Sequence, residues 1–202
     1  MTRRDSRPSD GWLIGTLRSA SDPVGRWVVK FGGSLLTRRH WPHELGELVA
    51  RLPGAVTVVV GGGPLVDGLR TVDAASPRPA ELMHALAIEA LRITARLAAD
   101  ATELPLLVEP AAAGARGVLD PCTWLAERER TVFLPAGWHV TSDSIAAAVA
   151  REALAGLMLA KRCPPPVTGL EELVAAGWID PYLPVVAEPV VAIDWAVPAD
   201  AG

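Results

Sequence analysis

Lys30-Phe31-Gly32-Gly33-Ser34 directly follows the apolar run Trp27-Val28-Val29. Glycines at the end of a strand let backbone N–H groups approach an anion closely, and a lysine beside them supplies positive charge for phosphate oxygens. Taken alone, the same residues also make an ordinary strand-to-helix turn with a lysine at the strand end. A second cluster, Gly61-Gly62-Gly63-Pro64, follows Val56-Thr57-Val58-Val59-Val60 and repeats the device. Neither cluster closes with Gly-Lys-Ser/Thr and neither has the spacing G-x-G-x-x-G, so the P-loop and the dinucleotide fingerprint are both excluded.

The third candidate is Asp143, within Trp138-His139-Val140-Thr141-Ser142-Asp143-Ser144-Ile145-Ala146. An acid in the first turn of a helix is favourable for the helix dipole alone. Its functional reading is an anion that positions lysines around a transferring phosphoryl group. Lys161, closing Leu159-Ala160-Lys161, is the second such lysine, and the chain has no others besides Lys30. An ammonium on a flexible stem serves phosphate as a point charge. His40, His43, His84 and His139 have no Cys or acidic partner at ligand spacing and read as solvated or packed, so no metal site is expected. Cys163, beside Lys161 and Arg162, reads as structural because no pattern specifies a catalytic thiol.

These residues need a sheet to hold them. The two apolar runs before the glycines read as buried parallel strands, and Pro42 to Leu52 between them places Leu45, Leu48, Val49 and Leu52 at helical spacing. That strand, helix, strand unit has crossover length and implies an α/β class, with ligands at the carboxyl edge of the sheet. Further helices are expected over Pro64 to Val72, Pro79 to Ala99 and Ile145 to Leu154, the last capped from Thr141-Ser142-Asp143-Ser144. Further strands are expected at Leu104 to Val108, Thr131 to Leu134 and Leu157 to Ala160, with an apolar segment at Val190 to Ile193. Residues 1 to about 25 read as a flexible N-terminal arm, regular structure starts at Arg26, and residues 26–202 form a single domain.

Composition bounds the partners. The chain has 202 residues, 50% of them hydrophobic, with two cysteines and a net charge of -4. It is long enough to bury a core without a disulfide framework. The acidic balance argues against coating nucleic acid. No apolar window reaches spanning length and no export signal follows the first arginines, which points to a cytoplasmic protein without a membrane partner. The apolar-rich helix over Pro79 to Ala99 suggests a homo-oligomer.

In order, Val28-Val29-Lys30-Phe31-Gly32-Gly33-Ser34-Leu35-Leu36, then Val58-Val59-Val60-Gly61-Gly62-Gly63, then Thr141-Ser142-Asp143-Ser144-Ile145-Ala146-Ala147 resemble the amino acid kinase family, which includes acetylglutamate, aspartate, uridylate and carbamate kinases. The resemblance covers about Arg26 to Pro184. It implies an open αβα sandwich with a mainly parallel sheet, where ATP, Mg2+ and a small-molecule acceptor meet over the carboxyl edge. It implies that Lys30 stabilises the transferring phosphoryl group and that Asp143 orients Lys30 and Lys161. Gly32, Gly33, Gly61 and Gly62 would hold phosphates through their N–H groups, joined by Ser34, Gly63 and Ser142.

Within the family, Trp138, His84 with Ala85, Ile88 and Ala90, and Gly177-Trp178-Ile179-Asp180-Pro181-Tyr182-Leu183-Pro184 resemble a small branch linked to methanofuran and methylofuran biosynthesis. Its archaeal members are aminomethylfuran-methyl phosphate kinases, which convert a phosphomonoester to a diphosphate. The resemblance then implies an acceptor with a dianionic phosphate, met by Arg38, Arg39 or Arg70, and an ammonium group. One departure stands out: Lys161 is followed by Arg162-Cys163-Pro164-Pro165-Pro166 instead of an Asp-Gly turn. Prolines offer no N–H donor and fix φ, so this segment cannot cradle a nucleotide in the usual way. It favours a rival reading as a non-catalytic binding or assembly subunit. A kinase acting on an amino acid or a nucleotide monophosphate is the other alternative, because acceptor choice lies in loops such as Thr37 to His43 and Ala74 to Leu82.

Overall fold

A computed structural model of the chain describes residues 11–19, 25–126, 134–190 and 192–199. The β-branched runs form β2 (Arg26–Phe31) and β3 (Ala55–Val60), every residue of β3 being buried. Between them lie a 3-10 turn over Gly33–Thr37 and α1 (Trp41–Arg51), which buries Leu45, Leu48 and Val49 as the helical spacing predicts. After β3 come α2 (Pro64–Ala75) and the long α3 (Ala80–Thr102). Short β4 (Leu106–Leu107), β5 (Arg116–Leu119) and α4 (Pro121–Leu125) follow. The chain then continues through α5 (Ser142–Glu152), β6 (Gly156–Ala160), α6 (Leu170–Ala175), α7 (Leu183–Ala187) and β7 (Ile193–Pro198).

Among the described residues one seven-stranded sheet runs β1-β7-β6-β2-β3-β5-β4, where β1 is Trp12–Arg18. All neighbours pair in parallel except β1 with β7. The pleat of β2 divides the core. Val28 faces Ile145 and Val149 of α5, whereas Val29 and Phe31 face Leu45 and Leu48 of α1. Helices cover both faces, which is the mixed α/β arrangement expected from the sequence. Helix α5 lies so deep that Ser142 through Ala150 are all buried. Its run of alanines follows from that position, since small side chains let a helix wrapped on all sides approach the sheet closely.

Several expectations need correction. Regular structure begins well before Arg26, because β1 (Trp12–Arg18) lies within the segment read as a flexible arm and pairs along β7. The packing explains it. Trp12 is 1% exposed, stands edge-on to Phe31 and donates its indole N–H to the Glu44 carbonyl at 2.9 Å. Gly15 leaves room for the Trp195 ring, which a Cβ there would meet at 2.5 Å. The strand expected over Leu104 to Val108 contracts to two residues, and residues 131–133 of another expected strand lie outside the described residues. Strand β5 went unforeseen because its four residues carry too short a pattern.

Trp12→Ala removes a buried ring that ties β1 to the core and is expected to cost about 3–5 kcal/mol of folding stability, read as a lower urea midpoint.

Candidate active site

The site grows from the carboxyl ends of the three central strands. In β2, Lys30 sits in register with Val59 of β3 and Leu159 of β6. Just beyond the strand ends, Gly32 N–H donates to the Ala160 carbonyl at 2.9 Å and Gly61 N–H to the Phe31 carbonyl at 2.8 Å. These two amides extend the sheet bonding and are therefore spent on protein acceptors. At the next step the two glycine turns touch. A Cβ on Gly33 would lie 2.1 Å from the Gly63 nitrogen, and Gly63 itself has φ +51. Only glycine allows both the contact and the conformation. The first turns of the 3-10 segment, α2 and α5 thereby converge, and a helix start presents N–H groups that lack an intrahelical partner.

Asp143 lies in the first turn of α5 beneath this convergence, 4% exposed. One carboxylate oxygen meets Lys30 Nζ at 2.8 Å and the other meets Lys161 Nζ at 2.7 Å. Burial alone would raise the pKa of this carboxyl, but the ammonium groups of Lys30 and then Lys161 prevail and hold it well below the usual carboxylate range. Lys161 shows the opposite balance. Burial first, then repulsion from Lys30, push it down to about 8 against the opposing pull of Asp143 and Asp180. Its ammonium also donates to the Trp178 carbonyl and lies 4.8 Å from the centre of the Trp178 ring. With one carboxylate between two ammonium groups, the cluster keeps a net positive charge while both lysines are protonated.

The cluster opens into a cavity of about 360 Å3. Lys30, Gly32, Gly33, Ser34, Gly61, Gly62, Gly63, Ser142 and Lys161 all line it, and Asp143 supports it from below. Arg162, Cys163 and Trp178 also line it, and the Trp178 indole N–H donates to the Cys163 carbonyl at 3.0 Å. Arg70, His84, Ile88 and Trp138 line it too. The Arg70 guanidinium stands 5.3 Å from the Trp138 ring centre and 3.1 Å from Asp67. The Trp138 indole N–H donates to Asp73 at 2.9 Å. His84 Nδ1 accepts from the Gly137 N–H at 3.3 Å, and burial pushes this imidazole down towards its neutral form. Of the three arginines considered for an acceptor phosphate, Arg70 lines the cavity, whereas Arg38 is paired with Glu44 at 2.9 Å.

Asp180, read from the sequence only as part of Gly177 to Pro184 and given no role of its own, is 7% exposed. One of its oxygens accepts from Thr141 N, Thr141 Oγ1 and Ser144 N at 2.9, 2.7 and 3.0 Å. The other accepts from the Ser144 hydroxyl and from the N–H groups of Tyr182 and Leu183 at 3.0 and 2.8 Å. An aspartate before a proline signals a local turn, which accounts for the last two bonds. Nothing in the sequence signals those to Thr141 and Ser144.

A family model described as the amino acid kinase family matches residues 25–161. Among solved structures, the crystal structure of uridylate kinase from Archaeoglobus fulgidus superposes with a TM-score of 0.57 at 16% sequence identity, over 85% of this chain and 90% of that one. No curated protein matches the chain.

The lysine–carboxylate cluster makes stability depend on pH in two windows. The folded Asp143 carboxyl sits below its ordinary 3.8, so it contributes stability above about 4 that is lost as pH falls through the folded value. Lys161 binds its proton near 8 when folded and near 10.5 when unfolded. Between those values the unfolded chain holds more protons, so the Lys161 contribution rises with pH across that window. Asp143→Asn leaves two buried ammonium groups without their counter-charge and is expected to cost about 3 kcal/mol near neutral pH. The variant is also expected to lose less stability than the parent between about pH 5 and pH 3. Urea titrations from neutral pH down to about pH 3 check both outcomes.

Proposed function

The chain belongs to the amino acid kinase family, and from that premise we propose that it is an ATP-dependent phosphotransferase acting on a small phosphorylated acceptor. The observation that carries this reading is Asp143 held between Lys30 and Lys161 at the meeting point of two glycine turns. Phosphoryl transfer asks a protein for positioning and for positive charge around the moving group, more than for covalent chemistry. In this reading an acceptor oxygen attacks the γ-phosphorus, the bond to the β–γ bridging oxygen breaks and ADP leaves. Lys30 and Lys161 neutralise charge on the transferring group, and Asp143 keeps the two cations a fixed distance apart. The helix starts at Gly33-Ser34, Gly63 and Ser142 supply N–H donors.

Among the described residues no group of three or more His, Cys, Asp or Glu side chains is placed to hold a metal ion, and both Asp143 oxygens are taken by lysines. Mg2+ in this reading travels with the nucleotide phosphates, which supply most of its ligands. The nucleotide in this reading lies against Arg162, Cys163 and Trp178, where an indole and an arginine stand in place of the usual turn. The acceptor lies against Arg70, whose guanidinium beside Trp138 suits a small ring compound bearing a phosphate. Aminomethylfuran-methyl phosphate, converted to its diphosphate in methanofuran or methylofuran biosynthesis, has that chemistry. The exposed stripe Leu82, Leu86, Ile93 and Leu97 along α3 supports a homo-oligomer.

Incubation with Mg–ATP and aminomethylfuran-methyl phosphate is expected to yield ADP and the diphosphate in equal amounts by mass spectrometry. Lys30→Ala is expected to lower the rate by about a hundredfold or more. Nucleotide binding without product would retain the kinase and reject this acceptor, and the absence of both would favour the non-catalytic reading. The profile of kcat/KM against pH should fall on the alkaline side with a midpoint near 8, and Lys161→Arg should remove that limb. Ile93→Glu in the α3 stripe is expected to reduce the mass in light scattering to that of a single chain, and an unchanged mass would remove α3 from the interface.

A further inference from the structure

Two residues of one segment act on the catalytic cluster from outside it. Trp178 gives its carbonyl to the Lys161 ammonium, and Asp180, two residues on, receives four hydrogen bonds from Thr141 and Ser144. Those two residues flank Ser142 and Asp143 in the first turn of α5. The Thr141 hydroxyl also accepts from the Asp143 N–H at 3.3 Å. A single rigid link therefore joins both ends of the Lys161–Asp143 ion pair. The far side of that link is anchored as well, since Asp180 holds the N–H groups of Tyr182 and Leu183 at the start of α7. Helix α7 in turn buries Leu183 and Val186 in the same core as Ile145 and Val149 of α5.

We propose that Asp180 is a positioning residue: its carboxylate fixes the first turn of α5 and, through Trp178, seats Lys161 on Asp143. It touches neither lysine by hydrogen bond and is absent from the cavity lining, so it acts through Thr141, Ser144 and Trp178. The electrostatics agree with the geometry. The groups that bear on the Lys161 ammonium are Lys30, Asp143 and Asp180, and the negative charge of Asp180 helps to keep it protonated. Asp180 thus does two things for one cation, holding it in place and favouring its charged state.

The catalytic meaning of this role rests on the phosphotransferase reading, and the decisive measurement does not. Lys30 and Lys161 are the only lysines in the chain, so protein labelled with 13C at lysine Cε gives two side-chain resonances, assigned with Lys30→Arg. In the parent protein the Lys161 signal should titrate near 8. In Asp180→Asn, which keeps the size and removes the charge, that midpoint should move lower by about 0.5 or more. The kcat for phosphoryl transfer should fall on the order of tenfold to a hundredfold, with the KM for nucleotide changed less than about threefold.

Should Asp180→Asn fail to fold, Ser144→Ala carries the test. It removes one buried donor from Asp180 while leaving the charge, and a shift of the Lys161 midpoint in the same direction is expected. A Lys161 midpoint that stays at the parent value in whichever variant folds overturns the proposal, whatever happens to kcat. If the parent protein transfers no phosphoryl group, the functional reading falls while the lysine titration still decides the positioning role.

Discussion

A carboxylate buried between two ammonium groups is stable only while all three charges keep their places. Removing the carboxylate leaves two like charges facing each other among buried groups, at a cost comparable to that of a large packing defect. The positions of Lys30, Asp143 and Lys161 thus constrain the strands and helix that carry them. Strands β2 and β6 must lie side by side in a fixed register, and the first turn of α5 must point at the gap beyond their ends. The sheet provides the first condition and the deep burial of α5 the second.

The same constraint explains why glycine and alanine occupy so much of the centre. Glycine at the two turns lets backbones meet where any Cβ would collide, which draws the helix starts together above the lysines. Alanine along α5 lets that helix sink until its charged first turn sits level with the strand ends. Both choices forgo side-chain bulk for closeness. The cost is conformational entropy at the glycines, and the return is a set of N–H groups and cations fixed before any ligand arrives.

Much of this arrangement was legible from residue types and spacing. The β-branched runs ending in glycine marked β2 and β3, the spacing of Leu45, Leu48 and Val49 marked the crossover helix, and the capping residues Thr141 to Ser144 marked the start of α5. Those signals are local, so a short window contains them. Lys30, Asp143 and Lys161 could each be picked out, but their distances depend on strand order, which no window contains. The edge strand β1 escaped because its alternation is interrupted by Gly15 and Thr16, and its worth lies in pairing with β7 at the opposite end of the chain. Asp180 escaped for a related reason. Its local turn can be read, whereas its bonds to Thr141 and Ser144 span 36 to 39 residues and exist only once α5 and α7 have packed.

The two borders of the sheet are unlike its middle. At one border stands β4, only two residues long, and at the other stands β1, antiparallel, irregular in register between Thr16 and Arg18, and ending in an arginine. A central sheet this rich in valine would be an aggregation hazard if a long flat strand were left with unpaired N–H and C=O groups along its rim, because another chain could add to it. Among the described residues, a stub too short to template pairing stands at one rim, and a strand whose register shifts between Thr16 and Arg18 stands at the other. Strand β1, which contributes nothing to the charge cluster, thus gives the sheet an irregular border to which another strand would add poorly.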